Sequence, residues 1–517
     1  MTETPSDRGP TDSPAHSSAD GGRLVLVTGA TGYVGGRLVP ELLAAGYRVR
    51  ALARRPQALS DRPWSDQVEV IGGDADDRDD LRAALDGVDV AYYLIHAMRA
   101  GASYEAIDRR TARRFAEAAR ESGVRRIVYL GGMHPLEGEL SPHMESRREV
   151  GEIFLESGVP SIVLKAAVII GPGSASFEMM RYLTERLPVM VAPTWINTRI
   201  QPIAIRDVLR YLVGVAGLPG QLNREFDIGG PDVLTYGEMM QRYAAVVGLP
   251  ARLIGSNPAL TPWLASHWVG LVTPVPAGIA KPLVLSLTQE VTVKEHDLEE
   301  LIPAPDGLIG FDRAVELALQ KIRDYDVSTT WSSASYGGAP SDPLPEDPEW
   351  AGGDLYVDER STAVDASPEL LWRVIEEIGG KQGWHSWRLG WSVRGVLDRM
   401  VGGPGLRRGR RDPVRLQNGD ALDWWRVEKI VHGKLLRLRA EMRVPGQAWL
   451  ELISETDDQG RTAFRQRAIF HPQGLFGHLY WKAIVPFHGI VFGGMQRNIA
   501  ELARSSARTA DQQVVDH

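Results

Sequence analysis

The ten residues VTGATGYVGG, from Val27 to Gly36, restrict this chain more than any other stretch. They join an apolar, β-branched run, RLVLVTG, to a segment with helical spacing, GRLVPELLAAG. Glycines at 29, 32 and 35 fit a strand-to-helix turn whose backbone holds phosphate. Gly29 permits the tight turn, Gly32 lets the backbone approach a pyrophosphate, and Gly35 lets helix and strand pack closely. The same turn carries Thr31, Tyr33 and Val34. The unpaired N–H groups and partial positive charge at the helix start complete an anion site. The expected ligand is a dinucleotide.

The surroundings extend that reading. RLVLVTG, YRVRALA, QVEVIGG, VDVAYYLIH, RRIVYLGG and PSIVLKAAVIIG are strand candidates, separated by helical patterns such as YEAIDRRTARRFAEAARESG. Continuous apolar strands alternating with helices imply a doubly wound α/β fold, a parallel Rossmann sheet covered on both faces. Pro40 should kink the first helix. The second strand ends in Arg54 and Arg55, where an acidic residue would grip a ribose hydroxyl and an arginine suits a 2′-phosphate. NADP(H) is therefore expected in preference to NAD(H), unless the two guanidinium groups simply point into water. Asp74, closing the third strand, can accept from an adenine amino group or be plainly solvated. Leu94, Ile95 and His96, ending the fourth strand, should border the cofactor.

A chain of 517 residues exceeds one ordinary core, so several domains are expected. The formal net charge of -8 argues against a nucleic-acid partner. Without cysteine the chain has no thiolate chemistry, disulfide or cysteine-ligated zinc, and no histidine–carboxylate spacing suggests another metal site. Residues 1–22 read as a disordered tail and not as a secretory signal. The segment from His267 to Leu287 is the most membrane-like, but Pro274, Pro276, Lys281 and Pro282 interrupt it. No transmembrane span is expected, and cytoplasm is the default location.

Beyond Asp326 the pattern changes. Residues 326–353 are rich in Ser, Pro and Gly and read as a linker. In LLRLRAEMRV apolar and charged residues alternate, as in a half-buried antiparallel strand. AWLELISE and RTAFRQRAIF continue a meander, flanked by helical patterns in PELLWRVIEEIGG and IVFGGMQRNIAELARSS. Residues 354–505 are therefore expected to be α+β, with 506–517 a second tail.

The motifs TGATGYVG, GDADDRDDL, AARESGVRRIVYLGG, QPIAIRDVLRYL and FDIGGPDVLTYGEMM together resemble the short-chain dehydrogenase/reductase superfamily. The resemblance covers Arg23 to Arg323 and is to its atypical or extended branch, which includes NmrA-like proteins and sugar-nucleotide epimerases. It implies an NAD(P)-binding domain over 23–325 with a small substrate lobe at about 249–323. It also implies a tyrosine one turn before a lysine, and a serine after the fifth strand, as proton-handling groups. This chain departs from all three. Met144 stands at the tyrosine position, Arg148 at the lysine position, and Gly131 and Gly132 where serine is expected. His134 and His143 lie near these positions and are either acid–base groups or loop histidines. Lys165 is either a contact to cofactor or substrate or a strand-end lysine reaching solvent.

Residues from Tyr356 to Arg504 resemble the SRPBCC or START-like helix-grip superfamily, on STAVDASPELLWRVIEEIGG, GDALDWWRVEKI and LLRLRAEMRVPGQAWLEL. The resemblance implies a curved sheet gripping a C-terminal helix around an apolar cavity, with Trp424, Trp425, Trp449, Trp481 and Phe487 as wall residues or plain core. A basic loop, Arg407, Arg408, Arg410, Arg411 and Arg415, either holds an anionic group or is solvated. The function expected is reduction of a bulky apolar molecule, such as an enone, quinone or carbonyl compound. A non-catalytic NADP(H) sensor and an epimerase-like activity are the alternatives.

Overall fold

The computed structural model describes residues 22–60, 62–96, 104–135, 140–257, 277–324, 355–379, 416–442, 444–457 and 459–515, with 269, 272, 273, 275 and 384 besides. The first tail, the 326–353 linker and the arginine loop at 407–415 lie wholly or almost wholly outside them. The stretch read as a second tail, 506–517, instead continues the C-terminal helix as far as Val515, because nothing in its sequence breaks the helix that Gly474 begins. The chain divides into two compact units, the second starting in the main at Asp354.

The first unit is built on seven parallel strands. They are β1 (Leu24–Thr28), β2 (Arg48–Ala53), β3 (Val68–Gly72), β4 (Val90–Tyr93), β5 (Arg126–Gly132), β6 (Ser161–Ala166) and, later in the chain, Arg224–Ile228. Their spatial order places β1 beside β4, and Arg224–Ile228 adds a seventh strand at the edge beside β6. Four strands, β1, β2, β4 and β5, are buried along most of their length because helices cover both faces. One face packs on α1 (Tyr33–Ala44) and on the helix Ile205–Gly217. The other packs on α2 (Arg78–Leu85), α3 (Tyr104–Glu121) and α4 (Pro142–Leu155). On that second face Tyr93, Phe115, Tyr129 and Phe154 meet edge to face, with ring centroids 4.9 to 6.1 Å apart.

Pro40 does not break α1, which runs on to Ala44. The stretch read as one sixth strand splits in two. Its second part, Ile169–Ile170, pairs with Ile203–Ala204 outside the main sheet. Short pairs Arg199–Ile200 with Leu234–Thr235, and Val189–Ala192 with Leu253–Ser256, complete the strands among the described residues of this unit.

The second unit is a six-stranded antiparallel sheet. Its first strand, Tyr356–Ala363, pairs with its last, Thr462–Pro472, in the register Tyr356 to Phe470. Strands Gly446–Thr456, Leu435–Ala440, Trp425–Val431 and Ala421–Leu422 follow in order across the sheet. Leu436, Leu438, Leu450, Leu452 and Phe464 face the helix Pro368–Glu376 and the C-terminal helix Gly474–Val515. Trp424 and Trp425 belong to that core, Trp424 stacked on Trp384 and Trp425 tilted against it. Trp449 lies on the opposite face of its strand from Leu450 and donates to Glu428 at 3.0 Å.

On the Trp449 side sits a buried ion cluster. Glu451, with no exposed surface, accepts from Arg437 at 2.7 and 2.8 Å and from Arg467 at 3.1 Å. Removing one member of such a cluster strands the others without solvent. Glu451→Ala is expected to cost about 3–5 kcal/mol, read as a lowered thermal midpoint of the second unit by calorimetry. Glu451→Leu combined with Arg437→Met should recover most of that loss.

Candidate functional site

Strand order reverses between β1 and β4, the place at whose carboxyl end an open parallel sheet offers a ligand crevice. Thr28 closes its floor. Its hydroxyl donates to the Tyr92 carbonyl at 2.8 Å and accepts from the Leu94 N–H at 3.3 Å, so one side chain ties the ends of both strands. The chain then turns through Gly29 at φ +77°, where L side chains are strained. A Cβ on Gly29 would also lie 2.7 Å from the Leu94 carbonyl oxygen and 3.2 Å from Ile95 Cγ2. Gly35 is tighter still, since its Cβ would stand 2.2 Å from the Gly29 carbonyl oxygen. Gly32 donates to that same carbonyl at 2.8 Å and caps α1.

No side chain caps α1. By contrast Asp77 caps α2 and Ser141 caps α4, each accepting backbone N–H groups. The first-turn amides of α1 therefore lack the side-chain partner these other helices have, beside exposed Thr31 and Gly32. Val34 is half-buried against the core. Tyr33 is fixed from two sides: the Arg37 guanidinium lies 4.4 Å over its ring, and Gly171 lies against its hydroxyl, leaving no room for a Cβ. Arg37 also donates to the Pro172 carbonyl at 3.0 Å, which binds the turn to the segment after Ile169–Ile170.

Arg54 and Arg55 directly follow β2 and are exposed, with no ion pair to any described residue. Asp74 is exposed; one oxygen accepts the Asp76 N–H at 3.0 Å and its own N–H donates to Asp80 at 2.8 Å. The neighbouring acids serve local structure, Asp76 holding Arg110 at 2.6 Å and Arg114 at 2.9 Å. Leu94, Ile95 and His96 follow β4 directly, His96 exposed.

The proton-handling positions are occupied otherwise. A Cβ on Gly131 would stand 3.0 Å from the Tyr129 ring, so a side chain there would crowd it. Met144 is buried in the first turn of α4. Arg148 is held by Glu145 at 2.5 Å and by Glu152 one turn on. His134, after β5, has Nδ1 3.2 Å from the Pro135 carbonyl oxygen, while its buried Nε2 meets no partner among the described residues. His143 is half-buried in α4; desolvation, with the nearby Arg147 charge, pushes its pKa down to about 3. It is neutral at physiological pH and offers one N–H donor. Lys165 is committed to the neighbouring strand, its ammonium 2.8 Å from Glu225 and 3.1 Å from Asp227. Burial opposes that charge, but the two carboxylates outweigh it and hold the pKa above the usual lysine range. Sequence reasoning missed both partners because they lie some sixty residues downstream on a strand it had not placed. Among the described residues no group of side chains could hold a metal ion, and no helix is long and apolar enough to cross a membrane.

Residues 29–155 match the family described as NAD(P)H-binding, and residues 350–495 match a family described as protein of unknown function, DUF2867. A ceramide reductase of Caulobacter vibrioides is 30% identical over 309 residues, covering 58% of this chain and 95% of that protein. A (4-alkanoyl-5-oxo-2,5-dihydrofuran-3-yl)methyl phosphate reductase of Streptomyces griseus is 31% identical, covering 47% of this chain and 82% of that protein. The triphenylmethane reductase of Citrobacter sp., complexed with NADP(H), has a TM-score of 0.46 at 20% identity, covering 57% of this chain and 100% of that one. The N-terminal part of the chain thus belongs to the atypical, NmrA-like branch of the NAD(P)-binding short-chain dehydrogenase/reductase family, and its C-terminal part carries the DUF2867 domain.

Proposed function

We propose that this protein is an NADP(H)-dependent reductase of a bulky, largely apolar small molecule. The uncapped start of α1, opening on a turn with no room for Cβ atoms, carries the reading. Gly29, Thr31, Gly32, Tyr33, Val34 and Gly35 would hold the diphosphate on backbone amides. Arg54 and Arg55 would take the 2′-phosphate, Asp74 the adenine, and Leu94, Ile95 and His96 the face beside the nicotinamide. The cofactor, when bound, supplies the hydride. Relatives named for reducing a ceramide and an alkanoyl furan phosphate support an apolar substrate.

Proton supply falls to His134 or to water held by the site, since orientation itself provides much of the rate. His134 is favoured over His143 because desolvation holds His143 neutral, with a pKa of about 3, while His134 Nε2 meets no partner among the described residues. Lys165 is assigned a positioning role through Glu225 and Asp227. For the second unit we propose a helix-grip, START-like ligand domain. Gln466 Oε1 and Trp425 Nε1, buried on the core side of the sheet without a partner among the described residues, favour an interior that accepts an apolar ligand bearing a polar group. A second reading, an NADP(H)-responsive sensor without turnover, draws on Met144, Arg148 and the two glycines at the family's catalytic positions.

Calorimetry on the full chain tests the cofactor assignment. NADPH is expected to bind more tightly than NADH, and Arg54→Gln with Arg55→Gln to weaken NADPH about 10- to 100-fold while sparing NADH. Gly35→Val should remove binding of both. Turnover of NADPH with enones, quinones and carbonyl compounds separates reductase from sensor. His134→Ala is expected to lower kcat about 100-fold, whereas Lys165→Met should lower the thermal midpoint and leave the shape of the pH–rate profile unchanged.

His143 gives a pH signature. Its pKa is lower folded than unfolded, so between about 6.5 and about 3 the unfolded chain binds more protons. Its contribution to stability is complete above pH 6.5 and drains away as the pH falls toward 3. His143→Gln should flatten that part of a plot of urea midpoint against pH.

A further inference from the structure

The C-terminal helix presents an inverted arrangement. Its inner side carries polar and aromatic groups: His478 lies 2.9 Å from the Tyr356 hydroxyl, and Trp481 stacks on Tyr356 and Phe470 at 5.2 and 5.6 Å. Its outer side is apolar. Phe476, Leu479, Phe487 and Ile490 are 72, 51, 53 and 57% exposed, with exposed Ala483 between them. Steps of three and four residues put these five in one row about 20 Å long. Phe487 is therefore a surface residue and not the wall of an enclosed cavity. Six of the fifteen large apolar residues exposed among the described residues fall between Leu475 and Ile490, so the patch is a concentration and not scatter.

The charges on the same segment are of one sign. From Gly474 to Ala500 there is no Asp or Glu, although the whole chain carries -8. The charged residues there are Lys482, on the flank of the row, and Arg497, two turns beyond Ile490 on the same row; both are exposed. Pairing of the row Phe476–Ile490 with its copy would bury Lys482 with no carboxylate on either row, the first acid of the helix, Glu501, lying one turn beyond Arg497. An anionic surface satisfies both cations. No described helix is long and apolar enough to span a bilayer, so the geometry suits a helix lying in the interface plane.

We propose that this face docks the protein on an anionic lipid surface, with Phe476, Leu479, Phe487 and Ile490 among the acyl chains and Lys482 and Arg497 at the phosphate level. The attraction is local and opposes the overall charge of the protein. The docking holds whatever the first unit reduces.

Sedimentation of the full chain with extruded vesicles tests it, comparing phosphatidylcholine alone with phosphatidylcholine containing 30% phosphatidylglycerol, a mole fraction of about a third chosen for strong surface charge. Binding at least tenfold tighter to the anionic vesicles, weakened by 0.5 M salt (a Debye length of about 4 Å), is expected. Phe476→Ser with Phe487→Ser should reduce it tenfold or more, and Lys482→Glu with Arg497→Glu should abolish the preference for anionic lipid. Unchanged circular dichroism confirms that each variant is folded. No binding to either vesicle, equal binding to both, or equal binding by the serine variant overturns the proposal. So does a concentration-dependent dimer, lost in the serine variant, without vesicle binding.

Discussion

Three stretches of backbone meet at the end of β1 with no space between them for a methyl group. Gly29 presses on the Leu94 carbonyl, and Gly35 presses on the carbonyl of Gly29. The Thr28 hydroxyl fixes the third contact by bonding to both sides of the β1–β4 junction. This close approach sets where α1 begins and how near it lies to the sheet. The positions of Tyr33, Arg37 and the Pro172 carbonyl follow from it, because the Arg37 guanidinium reaches from α1 across to that carbonyl.

Much of this was legible from residue order alone, and for a physical reason. A glycine turn between a strand and a helix is a local event, set within ten residues, so spacing reports it directly. Most of the core strands were legible for a similar reason: strands covered on both faces are largely apolar, and β3, half exposed and carrying Glu69, was legible by its β-branched run instead. What escaped was set at long range. The seventh strand, REFDI, carries three charged residues in five and gains its place only through pairing with β6. Lys165 looked free to act because the carboxylates that hold it belong to that strand. Ile169–Ile170 is too short to be told from the end of β6 by pattern, and only its partner Ile203–Ala204 separates them.

The second unit was legible as an alternation and less so in its facing. Period-two patterning finds a strand but does not say which side meets a helix when both sides are covered. Trp449 and Glu451 share the face opposite Leu450 and Leu452, and all four are buried. Phe487 shows the same ambiguity on a helix. Its segment is apolar nearly all round, so the pattern could not say which side meets the sheet. The side that does is chosen by Trp481 and His478, whose polar atoms and rings find partners on Tyr356 and Phe470.

The pairing of Tyr356–Ala363 with Thr462–Pro472 bears on how the polypeptide emerges during synthesis. The opening strand of that sheet waits about a hundred residues for its neighbour, so closing it carries a large loop-entropy cost and is slow. The strands from Leu24 to Ala166 join through short crossovers and can assemble while translation continues. A ribosome that stalls within the second unit, before Thr462–Pro472 emerges, would therefore display a nucleotide fold already formed, trailing an unpaired edge strand that carries Asp358, Glu359 and Arg360. Those charges keep such an edge from recruiting strands of other chains before its own partner arrives.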